Sequence, residues 1–174
     1  MPHSIQRFPT PIGDLHLVQR GEILVGLALP DRWPHLRPRL EQRLGPLPDV
    51  VNDADGPVAS ALRSYFDGRH EALEAIEVAP QGSEFQKRAW AALREIPVGS
   101  TVSYREIALR LGQPTAARAV ATANATNPIA IVIPCHRVIH ADGSISGFGG
   151  GVEMKRWLLQ HEAAAQPFRL TPTC

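Results

Sequence analysis

Along residues 4–30, apolar and polar side chains alternate in short, β-branched runs, a spacing that predicts a β-meander. Its strands are Ser4 to Phe8, Leu15 to Gln19 and Ile23 to Leu29, separated by Pro9-Thr10-Pro11-Ile12-Gly13-Asp14 and by Arg20-Gly21-Glu22. The period then lengthens. Residues 32–44 predict a polar helix weakened by Pro34 and Pro38, and Ala54 to Asp67 a stronger one, with Val58, Leu62, Tyr65 and Phe66 at helical spacing. Ala75 to Ala79 reads as a returning strand. Pro80-Gln81-Gly82 punctuates the chain and predicts a boundary between a structural domain, 1–82, and a second domain, 83–174.

The second domain changes character. Ser83-Glu84-Phe85-Gln86 is a capping box, in which a Ser side chain and a Gln three residues on satisfy each other's backbone N–H groups. It predicts a helix from Glu84 to Glu95 with Phe85, Ala89, Trp90 and Leu93 as its apolar stripe. Ser103-Tyr104-Arg105-Glu106 is a second box, opening a helix to Leu111. The turn Gly112-Gln113-Pro114 and a helix from Thr115 to Ala125 complete a helix-turn-helix outline. That last helix is mostly alanine, with Arg118 as its only charge, so it can lie very close to another surface, either a nucleic acid or a neighbouring helix. Ile129-Ala130-Ile131-Val132-Ile133 predicts a buried strand, which Pro134 ends because it has no N–H for a ladder. A hairpin-like turn at 139–144, the loop Gly147-Phe148-Gly149-Gly150-Gly151 and a helix from Val152 to Glu162 close the chain. The fold predicted is α+β: a small N-terminal antiparallel sheet with helices, then a mostly helical domain.

Composition excludes several classes. The chain has 174 residues, 44% hydrophobic and 20% charged, with no apolar run long enough to span a bilayer. Met1-Pro2-His3-Ser4-Ile5 lacks a basic, then apolar, secretory leader. Two cysteines make no disulfide framework, so a reducing cytoplasm is expected. Residues 1–82 carry 8 Lys and Arg against 11 Asp and Glu, and residues 83–174 carry 10 against 6. The second domain is therefore the one suited to a polyanion such as DNA. Its chemistry centres on Cys135, directly followed by His136. A thiolate is a soft, strong nucleophile, and a nearby base or cation raises its population at neutral pH. Along an extended chain the two side chains would face opposite ways, so contact would require a turn at Pro134 or a bridging water. Glu162 is the carboxylate best placed to orient a histidine.

The run Ile133-Pro134-Cys135-His136-Arg137-Val138 resembles the signature of the O6-alkylguanine-DNA alkyltransferases, also called methylated-DNA–protein-cysteine methyltransferases. Asn127-Pro128 precedes it at matching spacing, and the glycine loop, Lys155-Arg156-Trp157-Leu158-Leu159 and Glu162 follow. Upstream, Ile96-Pro97-Val98-Gly99, Val102-Ser103-Tyr104 and Ala116-Ala117-Arg118-Ala119-Val120 extend the match over essentially all of 83–174. Thr10-Pro11-Ile12-Gly13 adds a looser one. The resemblance implies an RNase H-like first domain and a winged-helix-like second. It implies that Cys135 takes the alkyl group from guanine O6 as a permanent thioether, and that His136, oriented by Glu162, deprotonates it through a water. Asn127 would brace the active-site turn, and Tyr104 would contact the base and protonate the departing guanine. Arg118 would hold the place of the flipped nucleotide, with Ala116, Ala117, Ala119 and Ser103 against the DNA. Val138, Ile145, Gly147, Phe148, Gly149 and Gly150 would line the pocket, and Arg137 would be structural.

The implied partner is duplex DNA carrying O6-alkylguanine, with O4-alkylthymine as a further candidate, acted on by a monomer without cofactor. Phe148 stands where some members have tyrosine, Gly149 where some have a hydroxyl, and Asn124 where a methionine lines the pocket in some. Some members also bind zinc in the first domain. Residues 1–82 here contain no cysteine, and His3, His16, His35 and His70 lack ligand spacing, so no zinc is expected. Three other readings remain. A binding-only relative would lack the cysteine. A Cys-His-Glu hydrolase would need an oxyanion hole and turnover. A plain helix-turn-helix binder would leave Cys135 without a purpose.

Overall fold

The structure is a computed structural model that describes residues 1–51, 54–145 and 147–164. It divides into two compact units. The first comprises 1–81 together with 128–132; the second comprises 82–127 and the residues from 133 onward.

The first unit is built on a sheet. β1 (His3–Thr10) pairs antiparallel with β2 (Gly13–Arg20), which pairs antiparallel with β3 (Ile23–Ala28), with a bulge at Val18/Gln19. α1 (Trp33–Leu44) follows, and β4 (Val50–Val51) then joins β1 in parallel, giving the order β3-β2-β1-β4. The meander is as expected; the short parallel edge strand is additional. α1 tolerates Pro34 because a proline in the first turn removes an N–H that has no helical partner anyway. Its Leu36 and Leu40 pack with Ile5, Val18, Val25 and Ala28 of the sheet. Gly26 permits this close packing, since a Cβ there would lie 2.7 Å from Leu40 Cδ1. α2 (Pro57–Phe66) buries Val58, Leu62 and Tyr65.

Two expected strands reduce to single bridges. His70–Ala75 is a 3-10 turn, and beyond it only Val78 pairs, with Leu24. The run Ile129 to Ile133 pairs only at Ile129, with Leu27; Leu27 N–H donates to Pro128 O at 2.8 Å, and Ala130 N–H to Leu27 O at 3.3 Å. The chain then turns, with Ile131 at φ 71°. A β-branched residue at positive φ carries strain of about 1–3 kcal/mol, held in place by surrounding structure. Apolar, β-branched sequence predicted burial correctly, since all five residues are buried. It could not predict that no neighbouring strand continues the ladder.

The second unit is mostly helical. α3 (Glu84–Arg94) opens with the complete capping box: Ser83 Oγ accepts from Gln86 N–H at 3.2 Å, and Gln86 Oε1 from Ser83 N–H at 2.8 Å. Trp90 is buried and donates from Nε1 to Ala123 O at 2.8 Å. β5 (Val102–Ser103) pairs in parallel with β6 (Val138–Ile139). α4 (Tyr104–Arg110) is capped by Ser103, whose hydroxyl accepts from Glu106 N–H at 3.0 Å. Only this half of the second box forms; Glu106 Oε1 instead accepts from Arg110 at 3.1 Å. α5 (Ala117–Ala125) packs on α3 and α4, completing the helix-turn-helix. α6 (Val152–Ala163) ends the described chain. No helix among the described residues is long and apolar enough to cross a membrane.

Candidate active site

Cys135 does not end a strand. It opens a 3-10 turn, Cys135–Arg137, whose three side chains are all buried. The turn is tied by local bonds: Cys135 N–H to Ile133 O at 2.8 Å, Arg137 N–H to Pro134 O at 3.0 Å, and Val138 N–H to Cys135 O. Two asparagines hold it from α5 and its end. Asn127 Nδ2 donates to Ile133 O at 2.8 Å, and Asn124 Nδ2 donates to Cys135 O at 3.3 Å. The two amides satisfy buried backbone carbonyls of the turn. A buried carbonyl left unpaired is costly.

His136 and Glu162 meet, 26 positions apart, with Nε2 to Oε1 at 2.6 Å and both side chains fully buried. Glu162, on the last turn of α6, is therefore an interior group. Arg137 grips the same carboxylate with two bonds, Nε to Oε2 and Nη2 to Oε1, both 2.9 Å, and spends Nη1 on Ile96 O at 2.7 Å. Burial alone would raise the Glu162 pKa, but His136 and Arg137 hold it well below the usual carboxylate range. Burial lowers the His136 pKa against the pull of Glu162, so the imidazole is neutral near pH 7. With Nε2–H assigned to Glu162, the lone pair falls on Nδ1, which has no hydrogen-bond partner among the described residues. The neutral ring therefore keeps on Nδ1 a lone pair able to accept a proton.

Cys135 itself is 5% exposed. Burial raises its pKa, opposed first by hydrogen bonding from the Asn127 side chain and then by the positive charge of Lys155. The resting group is a thiol with its thiolate supported. Lys155 is fully buried and donates from Nζ to Val138 O at 2.6 Å. Burial lowers its pKa to about 8, with Cys135 raising it in return. The sequence reading gave Lys155 no role. Its signal was available: Lys155, Leu158 and Glu162 fall at i, i+3 and i+7, one face of α6, so two charges share the stripe of a buried leucine. Tyr104 begins α4, half-buried, with its ring 5.4 Å from that of His140. Burial, then the proximity of Cys135, raise its pKa, so the phenol keeps its proton at neutral pH.

The remaining candidates separate into two groups. Arg118 and Ala119 are exposed on α5, and Ala116 and Ala117 half-buried, so this helix presents small side chains and one cation to solvent. Ser103 is 4% exposed, its hydroxyl committed to the cap of α4, and so is not a surface group. Val138 is fully buried beside the turn. Ile145, Phe148 and Gly150 are half-buried, and Gly147, at φ 66°, and Gly149 are exposed. Among the described residues no three His, Cys, Asp or Glu side chains are grouped to hold a metal. Cys174 lies outside the described residues.

A buried thiol, a neutral imidazole and a buried carboxylate on one side, and a helix-turn-helix in the same unit, define a protein that brings a nucleophile to a nucleic acid. Comparison with known proteins gives the lineage. The model of the "6-O-methylguanine DNA methyltransferase, DNA binding domain" family matches residues 84–164. The methylated-DNA–protein-cysteine methyltransferase of Salmonella typhimurium is 39% identical over 163 residues, covering 90% of this chain and 94% of the relative. That of Mycobacterium leprae is 46% identical over 153 residues, 88% of each. Crystal structures of the Mycobacterium tuberculosis O6-methylguanine methyltransferase, alone and in complex with DNA, both superpose with TM-score 0.77. They are 38% and 37% identical, covering 97% and 98% of this chain and 98% and 99% of theirs. The chain belongs to the methylated-DNA–protein-cysteine methyltransferase family.

Proposed function

We propose that the protein repairs DNA by drawing an O6-alkylated guanine out of the duplex and moving its alkyl group to Cys135. The observation that carries this reading is the buried Cys135 turn beside a neutral His136 locked to Glu162, in the same unit as the alanine-rich helix. A base in a stacked pair hides its O6, so extrusion is required, at roughly a few kcal/mol. The small face of α5 lets the backbone approach DNA closely, and Arg118, exposed on that helix, fills the gap. His136 Nδ1 takes the thiol proton through a water, with Glu162 stabilising the imidazolium that results. The Cys135 thiolate, supported by Lys155 and Asn127, attacks the alkyl carbon. A C–S bond forms, the C–O6 bond breaks, and the electron pair passes to guanine, which takes a proton from the Tyr104 phenol.

The thioether has no route back, because among the described residues no second nucleophile is placed to cleave it. Each molecule acts once, as a monomer and without cofactor, and its reduced thiol suits the cytoplasm. O4-alkylthymine is the second substrate to try. The test is intact mass after incubation with a duplex carrying one O6-methylguanine. Gain of one methyl group on Cys135, saturating at one equivalent, is expected, with Cys135→Ala inert. Continued release of product beyond one equivalent would refute it and favour a hydrolase.

A further inference from the structure

Asn124 stands on α5 against the reactive turn, 6% exposed, with Nδ2 on the Cys135 carbonyl. That carbonyl, which also takes the Val138 N–H, can only accept, so the amide atom facing it is the nitrogen. The other end, Oδ1, is buried and has no hydrogen-bond partner among the described residues. Buried acceptors are nearly always paired, so an orphan on a side chain bonded to the Cys135 turn points to a partner that arrives with the substrate. The transferred carbon must reach the Cys135 sulfur. Whatever that carbon carries is then delivered among the groups around Cys135, and Asn124 is one of them.

We propose that Asn124 is a specificity-determining residue whose Oδ1 accepts a hydrogen bond from a hydroxyl on the alkyl group, favouring hydroxyalkyl adducts over apolar ones. The inference rests on the alkyl-transfer reading above. A methyl adduct offers no donor and is neutral to Asn124. A 2-hydroxyethyl adduct pairs the orphan oxygen, and its hydroxyl stays on the group as the C–S bond forms and the C–O6 bond breaks. A benzyl adduct seals Oδ1 in apolar surroundings, where an unpaired acceptor is disfavoured.

The experiment compares transfer rates, read by intact mass, from duplexes carrying O6-methyl-, O6-(2-hydroxyethyl)- or O6-benzylguanine. The proteins are the wild type, Asn124→Leu, which is apolar and of similar size, and Asn124→Thr, which retains an acceptor. Ratios taken within one protein cancel any general loss from the missing Nδ2 bond. In Asn124→Leu the hydroxyethyl-to-methyl ratio should fall about 3- to 10-fold, the range of one net hydrogen bond, while the benzyl-to-methyl ratio rises. Asn124→Thr should keep part of the hydroxyethyl preference. Ratios unchanged in Asn124→Leu would overturn the assignment while leaving alkyl transfer intact. No transfer from any of the three substrates by the wild type would overturn the alkyl-transfer reading itself.

Discussion

Arg137→Met is the substitution that most directly probes how the site is held. The guanidinium makes three buried bonds, two to Glu162 at 2.9 Å and one to Ile96 O at 2.7 Å. Methionine fills much of the volume but strands the carboxylate with His136 as its remaining named partner. Breaking a buried ion pair from one side costs about 3–5 kcal/mol, and orphaning a carbonyl adds about 1–3 kcal/mol. Against a total stability of about 5–15 kcal/mol, the variant should be marginal at 37 °C. Urea unfolding at pH 7 measures this as a lower midpoint with little change in slope. The double variant Arg137→Met with Glu162→Met removes both charges together and should be more stable than the sum of the single losses by at least about 2 kcal/mol. A single-variant loss under about 1 kcal/mol, or strict additivity in the double, would refute the idea that this pair braces the turn.

Three further outcomes follow from the same geometry. Acid should destabilise the fold from two directions. Glu162, held below the usual range, contributes stability present above its unfolded pKa of about 4.3 and lost as pH falls through its lower folded value. His136, whose folded pKa is lowered, is left uncharged by folding, so stability also declines as pH drops below about 6.5. Melting temperature should therefore fall steadily from pH 7 to pH 4, and a rise over that interval would contradict both assignments. Lys155→Met should remove the charge that favours the Cys135 thiolate and move the pH–rate profile of thiol alkylation upward by about 1–3 units, the range for a lost neighbouring cation. An unmoved profile would make Lys155 a packing residue only. Arg118→Ala should slow repair in duplex DNA by about tenfold or more while sparing reaction with the free alkylated base, since a residue replacing a flipped nucleotide helps only where there is a stack to fill. Equal losses on both substrates would rule out that role.

Local chemistry was readable from the chain alone. Ser83 and Gln86 specify a helix start within four residues, the meander follows from alternation and turn residues, and Cys135-His136 in its motif marks the candidate nucleophile and base. The interior charges were a different matter. Glu162 read as the carboxylate best placed to orient a histidine, but its burial, like that of Lys155, was not legible, because a charge is buried only when partners remote in sequence neutralise or hydrogen-bond it. Those partners are His136 and Arg137 for Glu162, and the Val138 carbonyl for Lys155. The run Ile129 to Ile133 shows the same division. Its apolarity determined that it would be buried; whether it became a strand depended on a pairing edge, and beyond Leu27 the fold offers none. Periodicity, caps and motifs encode bonds that close within a few residues. The turn that presents Cys135, the neutrality of His136 and the orphan oxygen of Asn124 depend on contacts across 11 to 41 positions, and tertiary structure alone decides them.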